Sequence, residues 1–434
     1  MKSEIKQRII QLNNGEVPNG YKKTEFGVFP CDWVKDKAFG DLFDFYGGLG
    51  KSREELGEEG HAYLHYGDLH RGSFNVVSHA QYEHLPKYNV TLKGSEAYLM
   101  EDGDVAFLDA SEDLEGTSRS VLIDNSDNEP FIAGLHVIFG KSKDNSLEKW
   151  YKQYITATES VRKQFQRLAS GFKVYGVTRE TLPKIQIAYP KSTDEQSRIA
   201  EILMKWDEVI ELQKQYITKI ILRNGAVVDK LLSSKDNWKP LPLSTFVELK
   251  NGYAFKSETY INEGKYKIIT IKNVKSGEFD LTECCTIDEL PNNLQTHQLL
   301  SMGDIIISLT GNVGRACIVN AENCLLNQRV GKIVVKTISP VFVYEILQTN
   351  RFVSKMKNIA QGCAQANLSN ADVEDFVAFF PYDGDSLDIK TIDKISCILS
   401  EFRNELALQK ELLNKLLLQR KTLQQYLLNG IVRV

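Results

Sequence analysis

The chain has 434 residues, 42% hydrophobic and 25% charged, with a formal net charge of −4; this is ordinary for a globular protein and suits two to three domains. No run of about 18 apolar residues is present to cross a bilayer. The seven cysteines have no CxxC spacing, which points to reduced thiols in a cytoplasmic protein with no zinc site and no disulfide framework. Charge is uneven: residues 1–150 hold 16 Lys and Arg against 26 Asp and Glu, and residues 151–240 hold 16 against 10. A nucleic-acid ligand would therefore need a local patch rather than a uniformly basic face.

In chain order, Met1–Lys6 lacks the apolar core of a signal peptide. Gly47-Gly-Leu-Gly-Lys-Ser52 ends like a phosphate-binding loop, but that loop needs a glycine five residues before Gly50, where Phe45 stands. Asp44 with Gly48-Leu-Gly50 has a faint likeness to an S-adenosylmethionine loop, yet no Asp/Asn-Pro-Pro-aromatic tetrad follows to hold a target base. His61, His65, His70, His79 and His84 lack the spacing of HExxH, so no metal site is expected. Gly103-Asp104 opens the apolar run Val105–Leu108. Lys149–Leu168 reads as an amphipathic helix that runs into the glycine loop Ala169–Lys173.

Pro190 ends the first globular unit, and Thr193-Asp-Glu-Gln196 reads as a capping box. A seam with alternating four- and three-residue spacing follows: Ile199, Leu203, Trp206, Ile210, Gln213, Ile217, Ile220, Asn224, Val227 and Leu231. That is a coiled-coil pattern. Asn224-Gly225 is expected to bend or fray it, since glycine costs about 1 kcal/mol inside a helix.

The second half repeats the first. Trp238–Ser257 matches Trp33–Ser52 at an offset of 205, pairing Gly47 with Gly252, Lys51 with Lys256 and Ser52 with Ser257. Tyr266–Lys272, Asp304–Thr310 and Lys332–Lys336 read as strands, and Gly303-Asp304 opens another apolar run. Val343–Ile359 reads as an amphipathic helix leading into the glycine loop Ala360–Ala364. Gly362–Pro381 matches Gly171–Pro190 at 191, and Thr391–Gly430 matches Glu195–Ser234 at 196 without a gap. The second seam is Ile395, Leu399, Phe402, Leu406, Gln409, Leu413, Leu416, Arg420, Leu423 and Leu427. Both seams are polar at the same two slots, Gln213/Gln409 and Asn224/Arg420. The two helices are expected to pair antiparallel, with Gln213 and Gln409 meeting and setting register.

The fold class is thus α+β: two duplicated mixed α/β domains joined by two long antiparallel coiled-coil helices, with pseudo-twofold symmetry. The boundaries are 1–190, 191–236, 237–383 and 384–434. Forty helical residues span about 60 Å, one to two turns of DNA at about 34 Å each, so the rod reads as a ruler for duplex DNA. Arg, Lys, Asn and Gln are the side chains that read base edges and grip phosphates. In the first half the candidate DNA contacts are Lys51, Ser52, His65, His70 and Arg71, then Arg162, Lys163, Arg167, Lys173 and Tyr175. In the second half they are Lys256, Ser257, Lys272, Asn273, Asn312 and Arg315, then Gln328, Arg329, Lys355, Lys357, Gln361, Gln365 and Asn367.

The ordered, duplicated set resembles the specificity subunits of type I restriction-modification systems over nearly the whole chain. It is carried by Trp33–Ser52 and Trp238–Ser257, by Gly171 to Pro190 followed by Glu195-Gln-Ser-Arg-Ile-Ala200, and by the ending Leu427-Leu-Asn-Gly430-Ile-Val-Arg-Val434. The second junction keeps Gly362 and Pro381 but has Thr391-Ile-Asp-Lys-Ile-Ser396 in place of the E-Q-x-R-I-A start. Arg8–Gly15 is loosely similar to the C-terminal tail.

The resemblance implies two target recognition domains, each reading half of a split and asymmetric double-stranded DNA site. It implies helical spacers that set the separation and dock two modification (methyltransferase) subunits. It also implies a chain without catalytic residues or cofactors of its own. S-adenosylmethionine would serve the modification partners, and ATP and Mg the restriction/translocase subunits. Two other readings compete: a coiled-coil adaptor with paired ligand-binding domains and no DNA role, and an enzyme using Lys51 and Lys256 on phosphates.

Overall fold

The computed structural model describes residues 3–71, 75–78, 84–89, 96–111, 116–169, 175–361 and 367–434, without the side chains of His70, Arg71 and Glu96. It divides into two compact units: residues 1–212 with 413–434, and residues 213–412. Each unit is a mixed α/β domain carrying half of each long helix. No helix among the described residues is long and apolar enough to cross a membrane.

The duplication is built in at the level of strand order. The first unit has a sheet in which Phe43–Gly47, Val137–Ser142, Val105–Leu108 and Ser120–Ile123 lie side by side. In the second, Val247–Asn251, Val330–Val335, Ile305–Ser308 and Ala316–Ile318 follow the same order. A second pairing also recurs: Phe131–Ala133 runs parallel to His61–Leu64, and Cys324–Leu326 parallel to Tyr266–Ile269. Val105–Leu108 and Ile305–Ser308 are buried throughout, as continuous apolar runs covered on both faces should be. A Gly-Asp turn starts each. Gly103 has φ +83° and Gly303 φ +93°, while Asp104 and Asp304 donate backbone N–H to the carbonyls of Glu101 and Ser301. Glycine third in such a turn supplies the left-handed conformation.

The helix expected over Lys149–Leu168 is two elements, a 3-10 turn Trp150–Tyr154 and an α-helix Glu159–Leu168. The break falls where the Thr158 hydroxyl accepts from Val161 N–H and caps a new helix. Val343–Ile359 likewise splits into Pro340–Gln348 and Asn350–Gln361 at Thr349, whose hydroxyl donates to Ile346 O and accepts from Phe352 N–H. Two of the expected strands are shorter, Tyr266–Ile269, which stops at a turn tied by Asn273, and Ile305–Ser308, while the third starts two residues earlier and runs Val330–Val335.

The central helix spans Thr193–Leu231 and the C-terminal helix Ile389–Leu428. The first is capped one residue earlier than expected, by the Ser192 hydroxyl accepting from Glu195 N–H. Gln196 is fully buried; it donates to Ser146 O and Pro190 O and accepts from Glu148 N–H. The central helix continues through Asn224-Gly225 without a break. None of the twenty seam residues is exposed.

The helix halves run antiparallel within each unit. In the first, Arg420 forms a two-point pair with Asp207, and Arg433 beyond the helix end pairs with Glu195 near the other helix start. In the second, the Gln213 side chain donates to Gln409 Oε1 at 2.8 Å, and Arg223 pairs with Glu405. The chain terminus is tied down: Arg8 donates to Ile431 O, Tyr21 to Gly430 O, and Arg433 also to Asp32.

Candidate nucleic-acid interface

Equivalent loops meet at one end of each main sheet. Asp109 N–H donates to His136 O, and Leu309 N–H to Arg329 O. Leu108 N–H donates to Arg119 O, and Ser308 N–H to Arg315 O. Ser111 pairs with Tyr175 and Ala110 with Gly176, while Thr310 pairs with Asn367. His136 therefore occupies the place of Arg329, Arg119 that of Arg315, and Gly176 that of Asn367.

The match at the Gly47 loop shifts by one residue. Phe43–Gly47 and Val247–Asn251 are equivalent strands, so Gly48, not Gly47, corresponds to Gly252. Sterics explain why. A Cβ on Gly48 would lie 1.8 Å from Gly134 O and one on Gly252 2.1 Å from Asn327 O, whereas one on Gly47 meets nothing nearer than 3.7 Å. Ser52 and Lys256 then share the position that opens the short 3-10 turns Arg53–Glu55 and Ser257–Thr259.

In the second unit the structure brings Asn312, Arg315, Gln328, Arg329 and Asn367 to this sheet end. Asn312, Gln328, Arg329 and Asn367 are exposed and Arg315 half-buried. Lys272, Asn273, Asn312 and Arg315 line a cleft of about 340 Å³. Asn273 is buried: its Oδ1 accepts from Thr270, and its Nδ2 donates to Asp280 O and Glu283 O. It holds the loop that presents Lys272. Lys272 is paired with Glu283, and Lys256 lies 3.8 Å from Glu258. Ser257, Lys355, Lys357 and Gln361 are exposed.

In the first unit Arg162, Lys163 and Arg167 project from Glu159–Leu168, all exposed, and Lys163 is held by Glu159 at 2.6 Å. Lys51 pairs with Glu55, whose carboxylate also accepts from Ser52. His65 is buried, its Nδ1 accepting from Gly67 N–H, and burial lowers its pKa and keeps the ring neutral. Tyr175 is half-buried in its pairing with Ser111. His70 and Arg71 lie on the helix Tyr66–Arg71 with undescribed side chains. Lys173 and Gln365 fall outside the described residues.

Charge availability separates these cations. Arg162, Arg167, Arg315, Arg329, Lys355 and Lys357 have no ion pair among the described residues. Sequence reasoning missed Arg119, which shares a cleft of about 660 Å³ with Arg162, Gln166, Arg420, Lys421 and Gln424. Its guanidinium is half-buried, and burial lowers its pKa. The signal was available, because aligning Gly103–Ser120 with Gly303–Ala316 places Arg119 opposite Arg315. His136 and Asp109 were missed as well. They line a cleft of about 880 Å³ with Tyr46, Tyr98 and Arg179, and burial raises the Asp109 pKa. No cluster of three or more His, Cys, Asp or Glu suited to a metal occurs among the described residues.

A type I restriction-modification system S subunit from M. genitalium shares this fold, with a TM-score of 0.53 at 16% identity over 95% of this chain and 97% of that one. A chain from a structure on complex assembly and conformational transition of the type I R-M system gives 0.55 at 12% identity over 96% and 100%. Residues 33–221 and 235–418 each match the family model described as type I restriction modification DNA specificity domain. With two copies of that domain covering most of its length, the chain belongs to the type I restriction modification DNA specificity domain family.

Proposed function

We propose that this chain is the DNA-recognition subunit of a type I restriction-modification complex. Each unit reads one half of a bipartite, asymmetric target in double-stranded DNA. The observation that carries this is a pair of equivalent arginines, Arg119 and Arg315, at the same end of the same sheet in both units. Neither has a counter-charge among the described residues. An arginine held without a partner in a partly desolvated loop is poised for a phosphate or a base edge. The surrounding side chains differ between units, which supports two different half-sites.

The helices in this reading set the separation of the half-sites and dock two modification subunits. Two identical leucine pairs outside the seam support docking: Leu212/Leu408 are 57% and 63% exposed, and Leu222/Leu418 are 69% and 66% exposed. One member of each pair belongs to each unit. Leucines this exposed on a long helix suit a protein partner, and their duplication suits two copies of it. Methylation of adenine with S-adenosylmethionine, and ATP- and Mg-dependent translocation and cleavage, belong to the partner subunits in this reading.

The test is modification-sensitive long-read sequencing of DNA from a host expressing the chain with its modification subunit, beside a host lacking the chain. A bipartite, asymmetric methyl-adenine motif present only with the chain is expected. No new motif, with the complex shown to assemble, overturns the reading.

A further inference from the structure

The residue before strand Val137–Ser142 in the first unit and before Val330–Val335 in the second occupies an equivalent position with different chemistry. It is His136 in one and Arg329 in the other, and their carbonyls accept matched backbone bonds from Asp109 at 3.2 Å and Leu309 at 3.0 Å. The loop beneath His136 is clamped. Gly134 N–H donates to Leu64 O, Leu135 N–H donates to the Tyr63 hydroxyl at 2.8 Å, and a Cβ on Gly134 would fall 2.4 Å from the Tyr63 ring.

His136 itself has φ +58°, a left-handed conformation that a non-glycine residue keeps only when its surroundings impose it, and such residues cluster at functional sites. Its ring is oriented from two sides. Nδ1 lies 2.9 Å from Asp109 Oδ1, and the Tyr66 ring meets it edge-on at 5.4 Å. The side chain is still 46% exposed and lines the cleft bearing Tyr46, Tyr98 and Arg179. With Nδ1–H donated to Asp109, Nε2 is left for an outside partner. Arg329 is exposed and without an ion pair among the described residues.

We propose that His136, positioned by Asp109, reads a base edge in the first unit's half-site, and that Arg329 reads one from the same structural position in the second. The proposal rests on the DNA-recognition reading above. The two side chains select different bases. An arginine fork matches the O6 and N7 acceptors of guanine, whereas an imidazole that gives Nδ1–H to Asp109 offers only the single Nε2 to one base-edge group. One position would thus contribute to the asymmetry of the target. Asp109 is a positioning residue: it fixes the ring and its tautomer without touching DNA.

The experiment compares methylation motifs for the full complex carrying wild-type chain, His136→Asn, His136→Arg, Asp109→Asn or Arg329→His. Asparagine tolerates the left-handed backbone, so His136→Asn keeps the loop while removing the ring, and thermal melting confirms folding. His136→Asn should lower discrimination at one base pair of one half-site by roughly 10-fold or more. His136→Arg should shift that pair towards guanine, and Asp109→Asn should weaken the same pair to a smaller degree. Arg329→His should change the other half-site alone. Unchanged motifs in both His136 variants overturn the proposal, as does a folded His136→Asn protein that loses methylation equally at all sequences. If the wild type yields no bipartite motif, it is the DNA-recognition reading itself that fails.

Discussion

The two units carry one strand order but hold it with different chemistry, and the turn before the central strand makes the contrast plain. Asp104 and Asp304 occupy the same Gly-Asp turn, and each accepts a backbone N–H, from Glu101 and Ser301 respectively. Asp304 also receives Lys332 Nζ at 2.6 Å. Asp104 has no such direct partner among the described residues. Burial pushes its pKa to about 7, against the opposing pull of the Glu101 backbone N–H and of the more distant Lys141 and Lys152, while the Glu101 carboxylate adds to the rise. The helix-facing aromatics diverge in a similar way. In the first unit Arg420 sits over Tyr154 and pairs with Asp207. In the second Arg403 sits over Tyr344 and pairs with Glu345, whose burial raises its pKa. The shared residues are those that backbone geometry demands; the side-chain pairs that decorate it are free to differ.

The largest expected effect tests the shifted equivalence. Gly48→Ala and Gly252→Ala should each destabilise their unit by about 3 kcal/mol, because the new methyl overlaps a carbonyl. Gly47→Ala should cost less than about 1 kcal/mol. Chemical denaturation of the three variants decides it, and an equal loss at Gly47 would restore the original pairing of Gly47 with Gly252.

The aspartate contrast comes next. A carboxyl whose folded pKa is raised stabilises below its unfolded value, and that stability is lost as pH rises through the folded value. For Asp104 the window runs from about pH 4 to about pH 7. Asp104→Asn should therefore gain stability over wild type progressively across that window, by up to roughly 4 kcal/mol above it. Asp304→Asn should instead destabilise the second unit at pH 7, by leaving Lys332 unpaired. Melting curves at pH 5 and pH 8 check both signs.

Arg119→Ala and Arg315→Ala should each weaken DNA binding by about 10-fold, and each should affect one half-site only. Competition binding with half-site-scrambled duplexes distinguishes this from a uniform loss. The smallest effect belongs to Gly225, which sits inside the central helix with open space at its Cβ position. Gly225→Ala should stabilise the second unit by about 0.5–1 kcal/mol, visible as a rise in Tm.

Period and repetition were legible in the sequence because they are local properties of the chain. The alternating seam predicted both long helices and the meeting of Gln213 with Gln409, and the offset matches revealed the duplicated units. Gly103-Asp104 and Gly303-Asp304 marked their turns, since only glycine takes that backbone conformation freely. Less local facts were not legible. The breaks at Thr158 and Thr349 depend on a hydroxyl choosing between helix and cap. The true partner of Gly252 depends on which glycine approaches another backbone. For the site, the exposed cations were readable as residue types. Their availability was not: Lys51, Lys163 and Lys272 are already paired, Asn273 is consumed by its own loop, and Arg119 and His136 come into view only when strand register makes them equivalent to Arg315 and Arg329. Sequence determines which side chains exist and with what period. Tertiary structure decides which remain unpaired at a shared sheet end, because pairing depends on distances between residues far apart in the chain.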